Sequence, residues 1–157
     1  MTVHLTLAQN PNNIEESQYG TGPQVQFSPI TSCILIAGIT GDDNVAGIHL
    51  VMVQPDGEPF GVGDVDVVTT RLGELGVSPS SVIVFGQAQM WADNVPDAYQ
   101  ALLGALGLVP AQATDLDDGT YGASIGAGGQ LQIFQAAGLG RRGGRHHSRV
   151  RPRKRLA

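Results

Sequence analysis

The chain has 157 residues, 41% apolar but only 5% aromatic, which suits one domain with an aliphatic core. The net charge of −5 hides a division: all fourteen acids precede residue 119, and eight of the nine Lys and Arg lie between Arg141 and Arg155. Such an acidic body repels nucleic acid and anionic membranes, the absence of lysine before residue 141 excludes a P-loop, and no apolar run reaches the roughly 20 residues of a membrane-spanning helix.

Residues 3–7 (VHLTL) read as a short alternating strand, and 8–23 as a loop rich in Asn, Pro and Gly. QVQF then leads through Ser28 and Pro29 into ITSCILIAGIT, a buried strand by its β-branched content. The turn GDDN at 41–44 separates it from VAGIHLVMV at 45–53, so the two runs predict a hairpin inside a sheet. QPDGEPFG at 54–61 is the next turn. Val65, Val68, Leu72 and Leu75 recur at helical spacing, and Gly76 stops that helix. SVIVFG at 81–86 is another buried strand. A second helix is predicted over 95–106, capped by Asn94, with Pro96 and Asp97 in its first turn and Gly107 at its end. GTYGASI and QLQIFQ form a closing hairpin across GAGG.

This order predicts an α+β domain over residues 1–137: a mostly antiparallel sheet or sandwich with two helices. Residues 138–157 are expected to be a basic, disordered tail. The tail could bind nucleic acid or a membrane surface non-specifically, fold back on the acidic body, or be an incidental extension. MTVHLTLAQN lacks a basic start and a long apolar run, so no cleaved signal peptide is expected. A single cysteine permits no internal disulfide and fits a reducing compartment. The expected location is therefore the cytoplasm, or outside the cell by a route without a cleaved signal.

The body offers little for chemistry. It has no CxxC and no HExxH, and no His/Cys cluster for zinc. The acidic turns at Asp42–Asp43 and Asp115–Asp118 do not match a calcium-binding loop and read as solvated. No metal or cofactor is expected. What remains is Cys33 and His49, both in apolar strands. An imidazole beside a thiol is the usual means of making it nucleophilic. The competing reading is a packed thiol and a histidine satisfied by a carbonyl. In a simple hairpin around Asp42 and Asp43, Cys33 falls opposite Met52, on the other face from His49. A three-residue turn centred on Asp43 puts both on one face but four positions out of register. A bulge, or a Cys33 that precedes the regular strand, would bring them together.

TSCILIAGITGDDNVAGIHLVMV resembles the nucleophile region of the chemoreceptor glutamine deamidase family CheD, which is similar to the catalytic domains of cytotoxic necrotizing factor-type toxins. The elements that match are Thr31-Ser32-Cys33 and Gly47-Ile48-His49, with a Cys-to-His spacing of 16. The family commonly has Gly beside the Cys, and its third group falls here on Phe27, with Ser28 next to it. The resemblance implies a β-sandwich flanked by helices and a cysteine hydrolase acting on glutamine of a protein substrate. It casts Cys33 as nucleophile, His49 as base, and Ser28 or a carbonyl near Phe27 as the group orienting the ring. Oxyanion donors would be the Cys33 N–H or the hydroxyls of Ser32 and Thr31, and Gly47 would keep space beside His49 open. Trp91, in the polar stretch GQAQMWADN, lines a substrate cleft or anchors a loop. The alternative function is a non-catalytic binding or accessory domain on the same scaffold. A cysteine peptidase ranks lower, because common peptidase folds separate Cys and His by far more residues.

Overall fold

Two adjacent apolar runs set the architecture, because each needs cover on both faces. The computed structural model describes residues 3–136. In chain order the strands and helices are β1 (Thr6–Leu7), β2 (Gln18–Gly22), β3 (Gln24–Gln26), β4 (Cys33–Ile39), β5 (Val45–Val51), α1 (Val65–Glu74), β6 (Ile83–Gly86), α2 (Ala88–Asn94), α3 (Pro96–Ala105), β7 (Thr114–Asp115), β8 (Tyr121–Ile125) and β9 (Leu131–Gln135). Six strands form one sheet in the order β1-β2-β5-β4-β6-β7, and β3-β8-β9 form a second. All pairings are antiparallel except the two-residue pairs β1–β2 and β6–β7.

The strand period of two sorts side chains between two cores. Ile34, Ile36, Ile48, Leu50 and Val84 face the helices, where they meet Val68, Leu72, Trp91 and Leu102. Leu35, Ala37, Val45, Val51 and Phe85 face the small sheet and its approach, with Val25, Phe27, Ile14 and Ala123. The central sheet is thus covered by helices on one side and a three-stranded sheet on the other. Each fully buried Ile or Leu in it contributes about 1.5–3 kcal/mol of transfer free energy. The α+β sandwich is as the sequence predicts.

Three details differ. The stretch 8–23 contains β2, which pairs with β5 through Gln18↔His49 and Gly20↔Gly47. QYGTG carries no apolar alternation because Gly20 and Gly22 lie under Ile14 and Pro11, where a Cβ would come within 3.2 and 3.1 Å of their side chains. Residues 88–94 form α2 rather than a polar loop. The helix after it starts from Val95 with no side-chain cap, since Asn94 Nδ2 donates instead to the Met90 carbonyl at 2.8 Å. Gly76 and Gly107 follow α1 and α3 at φ 72° and 77°, as helix stops. Among the described residues no helix is long and apolar enough to cross a membrane. The expected basic tail, 138–157, lies outside the described residues.

Candidate active site

The β4–β5 turn decides whether Cys33 and His49 can meet. Thr40 and Asn44 close a three-residue loop, with Asp43 in the left-handed region at φ 63° and the Thr40 hydroxyl accepting the Asn44 N–H at 3.1 Å. The hairpin is therefore centred on Asp42, which pairs Cys33 with Val51 and Leu35 with His49. Both registers expected from the sequence are corrected by this shift. Cys33, the first residue of β4, and His49 share one face, two positions apart. Sγ of Cys33, a ring nitrogen of His49 and a carboxylate oxygen of Glu16 lie within 4.8 Å of one another. The thiol points to Glu16 Oε2 at 3.9 Å.

His49 is fully buried. Its Nδ1 lies 2.9 Å from the Ile14 carbonyl oxygen and 3.4 Å from Ser28 Oγ. The carbonyl accepts only from a protonated Nδ1, so the tautomer is fixed and Nε2 keeps its lone pair. Among the described residues that Nε2 has no hydrogen-bond partner. Ile14 is bridged to Phe27, and its carbonyl also accepts the Ser28 N–H at 2.9 Å. The orienting group is thus a carbonyl beside Phe27 in space, contributed by a distant loop, with Ser28 at longer range. Phe27 meets the imidazole edge-on at 5.9 Å between centroids.

Burial, then the charge of Glu16, push the Cys33 thiol up to about 12, while backbone hydrogen bonds from Ser32 and Thr31 pull the other way. Burial lowers the His49 imidazole, against the Ile14 bond and the charges of Glu16 and Glu15. At neutral pH the resting pair is a thiol beside a neutral imidazole.

The supporting residues fall out differently from expectation. The Cys33 N–H is occupied by Gln87 Oε1 at 3.1 Å, and its carbonyl accepts the Gln87 N–H at 2.9 Å. It is therefore not a free oxyanion donor. Thr31 and Ser32 act on the sulfur through main chain. Gly47 does not hold space open for a ligand: a Cβ there would sit 2.6 Å from Phe27 Cζ, so the space belongs to that ring. Trp91 lines no cleft. It is fully buried on α2, packs on Phe60 and Tyr99, and donates from Nε1 to the Ser32 carbonyl at 3.0 Å. That bond ties down the turn that presents Cys33.

Sequence reading missed Glu16 and Gln87. Glu16 sits in what reads as an irregular polar loop, where no pattern separates it from Glu15. Gln87 directly follows a buried strand, and a polar residue at that boundary is the one available hint. Gln87 also lines an acidic cleft of about 590 Å³ with Gln89, Asp93, Asp115 and Asp118, which excludes Cys33 and His49. Comparison with family models, with curated proteins and with solved structures finds no match for this chain.

Proposed function

We propose that this chain is a cysteine-dependent amidohydrolase that converts glutamine side chains of a protein substrate to glutamate. The observation that carries the reading is the juxtaposition of Cys33 with His49, whose Nδ1 is tied to Ile14 and whose Nε2 is left as a base. In the resting fold burial, and after it the charge of Glu16, keep the proton on the sulfur. Because Glu16 is exposed, an incoming carboxamide can displace it. His49 Nε2 then takes the thiol proton, and the thiolate attacks the amide carbon. The C–N bond breaks, and ammonia leaves with the proton from His49. Water, deprotonated by His49, hydrolyses the thioester to glutamate and restores the thiol. The backbone N–H groups of Thr31 and Ser32, which hydrogen-bond the sulfur, are the donors this reading assigns to the developing oxyanion. The free cysteine suits a reducing compartment such as the cytoplasm.

A second reading, a non-catalytic binding domain, is favoured by the burial of the pair: Cys33 is 2% exposed and His49 0%. The two are separated by measuring ammonia release and amide-to-acid mass change over a panel of glutamine-containing proteins. Wild type should act on one of them while Cys33→Ser is silent. Equal release by Cys33→Ser, or none by wild type on any substrate, would favour the binding domain.

A further inference from the structure

We propose that Glu16, Cys33 and His49 form a binding site for a divalent transition-metal ion of the zinc class. Two independent observations carry this. The first is the clustering of one carboxylate oxygen, one sulfur and one ring nitrogen within 4.8 Å. The second is His49 Nε2, fully buried and without a hydrogen-bond partner among the described residues, on a ring whose Nδ1–H is held by the Ile14 carbonyl. A metal-ligating imidazole is oriented in this way: the far nitrogen donates to a carbonyl, which fixes the tautomer and turns the lone pair toward the metal.

The donor set selects the ion. Thiolate and imidazole suit zinc or cobalt, whereas magnesium and calcium want oxygen ligands throughout. On binding, the Cys33 thiol releases its proton to solvent, the imidazole is already neutral, and Glu16 is a carboxylate. A doubly charged cation with one thiolate and one carboxylate makes a neutral site, which a buried position tolerates. Metal–ligand bonds of about 2.0–2.3 Å require the three atoms to close to roughly 3–4 Å apart. Glu16 supplies that movement, because it is exposed on a loop. Three protein ligands leave a fourth position for water or another donor. A metal bound there masks the sulfur and His49 Nε2, so the metal-bound and catalytic states exclude one another, and metal binding is tested without an activity readout.

The test is cobalt titration of the full chain after stripping with a chelator, followed by near-ultraviolet absorption. Cys33 is the sole cysteine, so a thiolate-to-cobalt charge-transfer band reports on it alone, whatever His4, His146 or His147 bind. The expected result is a stoichiometric band that zinc displaces, that Cys33→Ser abolishes, and whose affinity falls roughly tenfold or more in Glu16→Gln. His49→Gln should weaken it similarly; if that variant does not fold, Glu16→Gln, at an exposed position, carries the test. Absence of the band in folded wild type overturns the proposal, and so does a band of unchanged affinity in Glu16→Gln. Ammonia release by the chelated protein bears on the deamidase reading alone.

Discussion

Cys33 and His49 lie on the same face of the central sheet, with Cys33 opposite Val51 and His49 opposite Leu35. The Glu16 carboxylate approaches the thiol from the loop before β2. Burial and that carboxylate together keep the thiol protonated. Iodoacetamide should therefore alkylate the folded, metal-free protein slowly near neutral pH. Glu16→Gln removes the nearby negative charge, which lowers the thiol pKa and should raise the alkylation rate at any fixed pH below it. A Glu16→Gln rate equal to or below wild type would rule out the carboxylate as the restraining group.

Folding stability should fall at both ends of the pH range. The folded pKa of His49 lies below its ordinary 6.5, so the folded state binds fewer protons than the unfolded one. Its contribution is full above 6.5 and is lost as pH falls through and below that value. Cys33 and Tyr99 are both raised to about 12, from 9.0 and 10.0. Their contribution is full below about 9 and is lost as pH rises toward 12. Urea denaturation across pH should show both slopes, and His49→Gln should flatten the acidic one.

Gly47→Ala should destabilise the fold by about 1–3 kcal/mol, because the new methyl overlaps the Phe27 ring and that ring is hemmed in by Phe85 and His49. Chemical denaturation measures the cost. A neutral outcome would mean that Phe27 can swing away, and His49 would then lose its edge-on neighbour.

Gly86→Ala should cost at least as much. Gly86 sits at φ 123°, which disfavours any L side chain, and its Cβ would lie 2.7 Å from the Cys33 carbonyl oxygen. The backbone there cannot yield without moving Cys33. The variant should therefore also change the alkylation rate of the thiol, whereas Gly47→Ala leaves the sulfur's own backbone in place.

Trp91, the only tryptophan, reports on the turn before β4. Its emission should be blue-shifted and insensitive to aqueous quenchers, because the ring is fully buried. Trp91→Phe removes the donor to the Ser32 carbonyl and should cost about 1–3 kcal/mol. An emission maximum typical of exposed indole would contradict the packing against Phe60 and Tyr99.

Patterns local to the chain were legible in the sequence. The apolar runs at β4, β5 and β6, the spacing of Val65, Val68 and Leu72, the glycine stops at Gly76 and Gly107, and the closing hairpin each depend on neighbours a few residues away. So does the choice of Cys33 and His49 as the only thiol and imidazole within apolar strands. Three things depended on contacts distant in sequence. The register hinged on the left-handed residue of the 40–44 turn, where one position separates opposite faces from one shared face. The strand β2 was hidden because Gly20 and Gly22 serve close packing under Ile14 and Pro11, not alternation. The surroundings of the sulfur came from three places: Glu16 from a polar loop, the Ile14 carbonyl from a main-chain atom that sequence cannot display, and Gln87 from the end of β6. A side chain's type is written in the sequence, but its electrostatic neighbours are set by how separate segments pack, and here that packing turned an expected activated thiol into one held protonated.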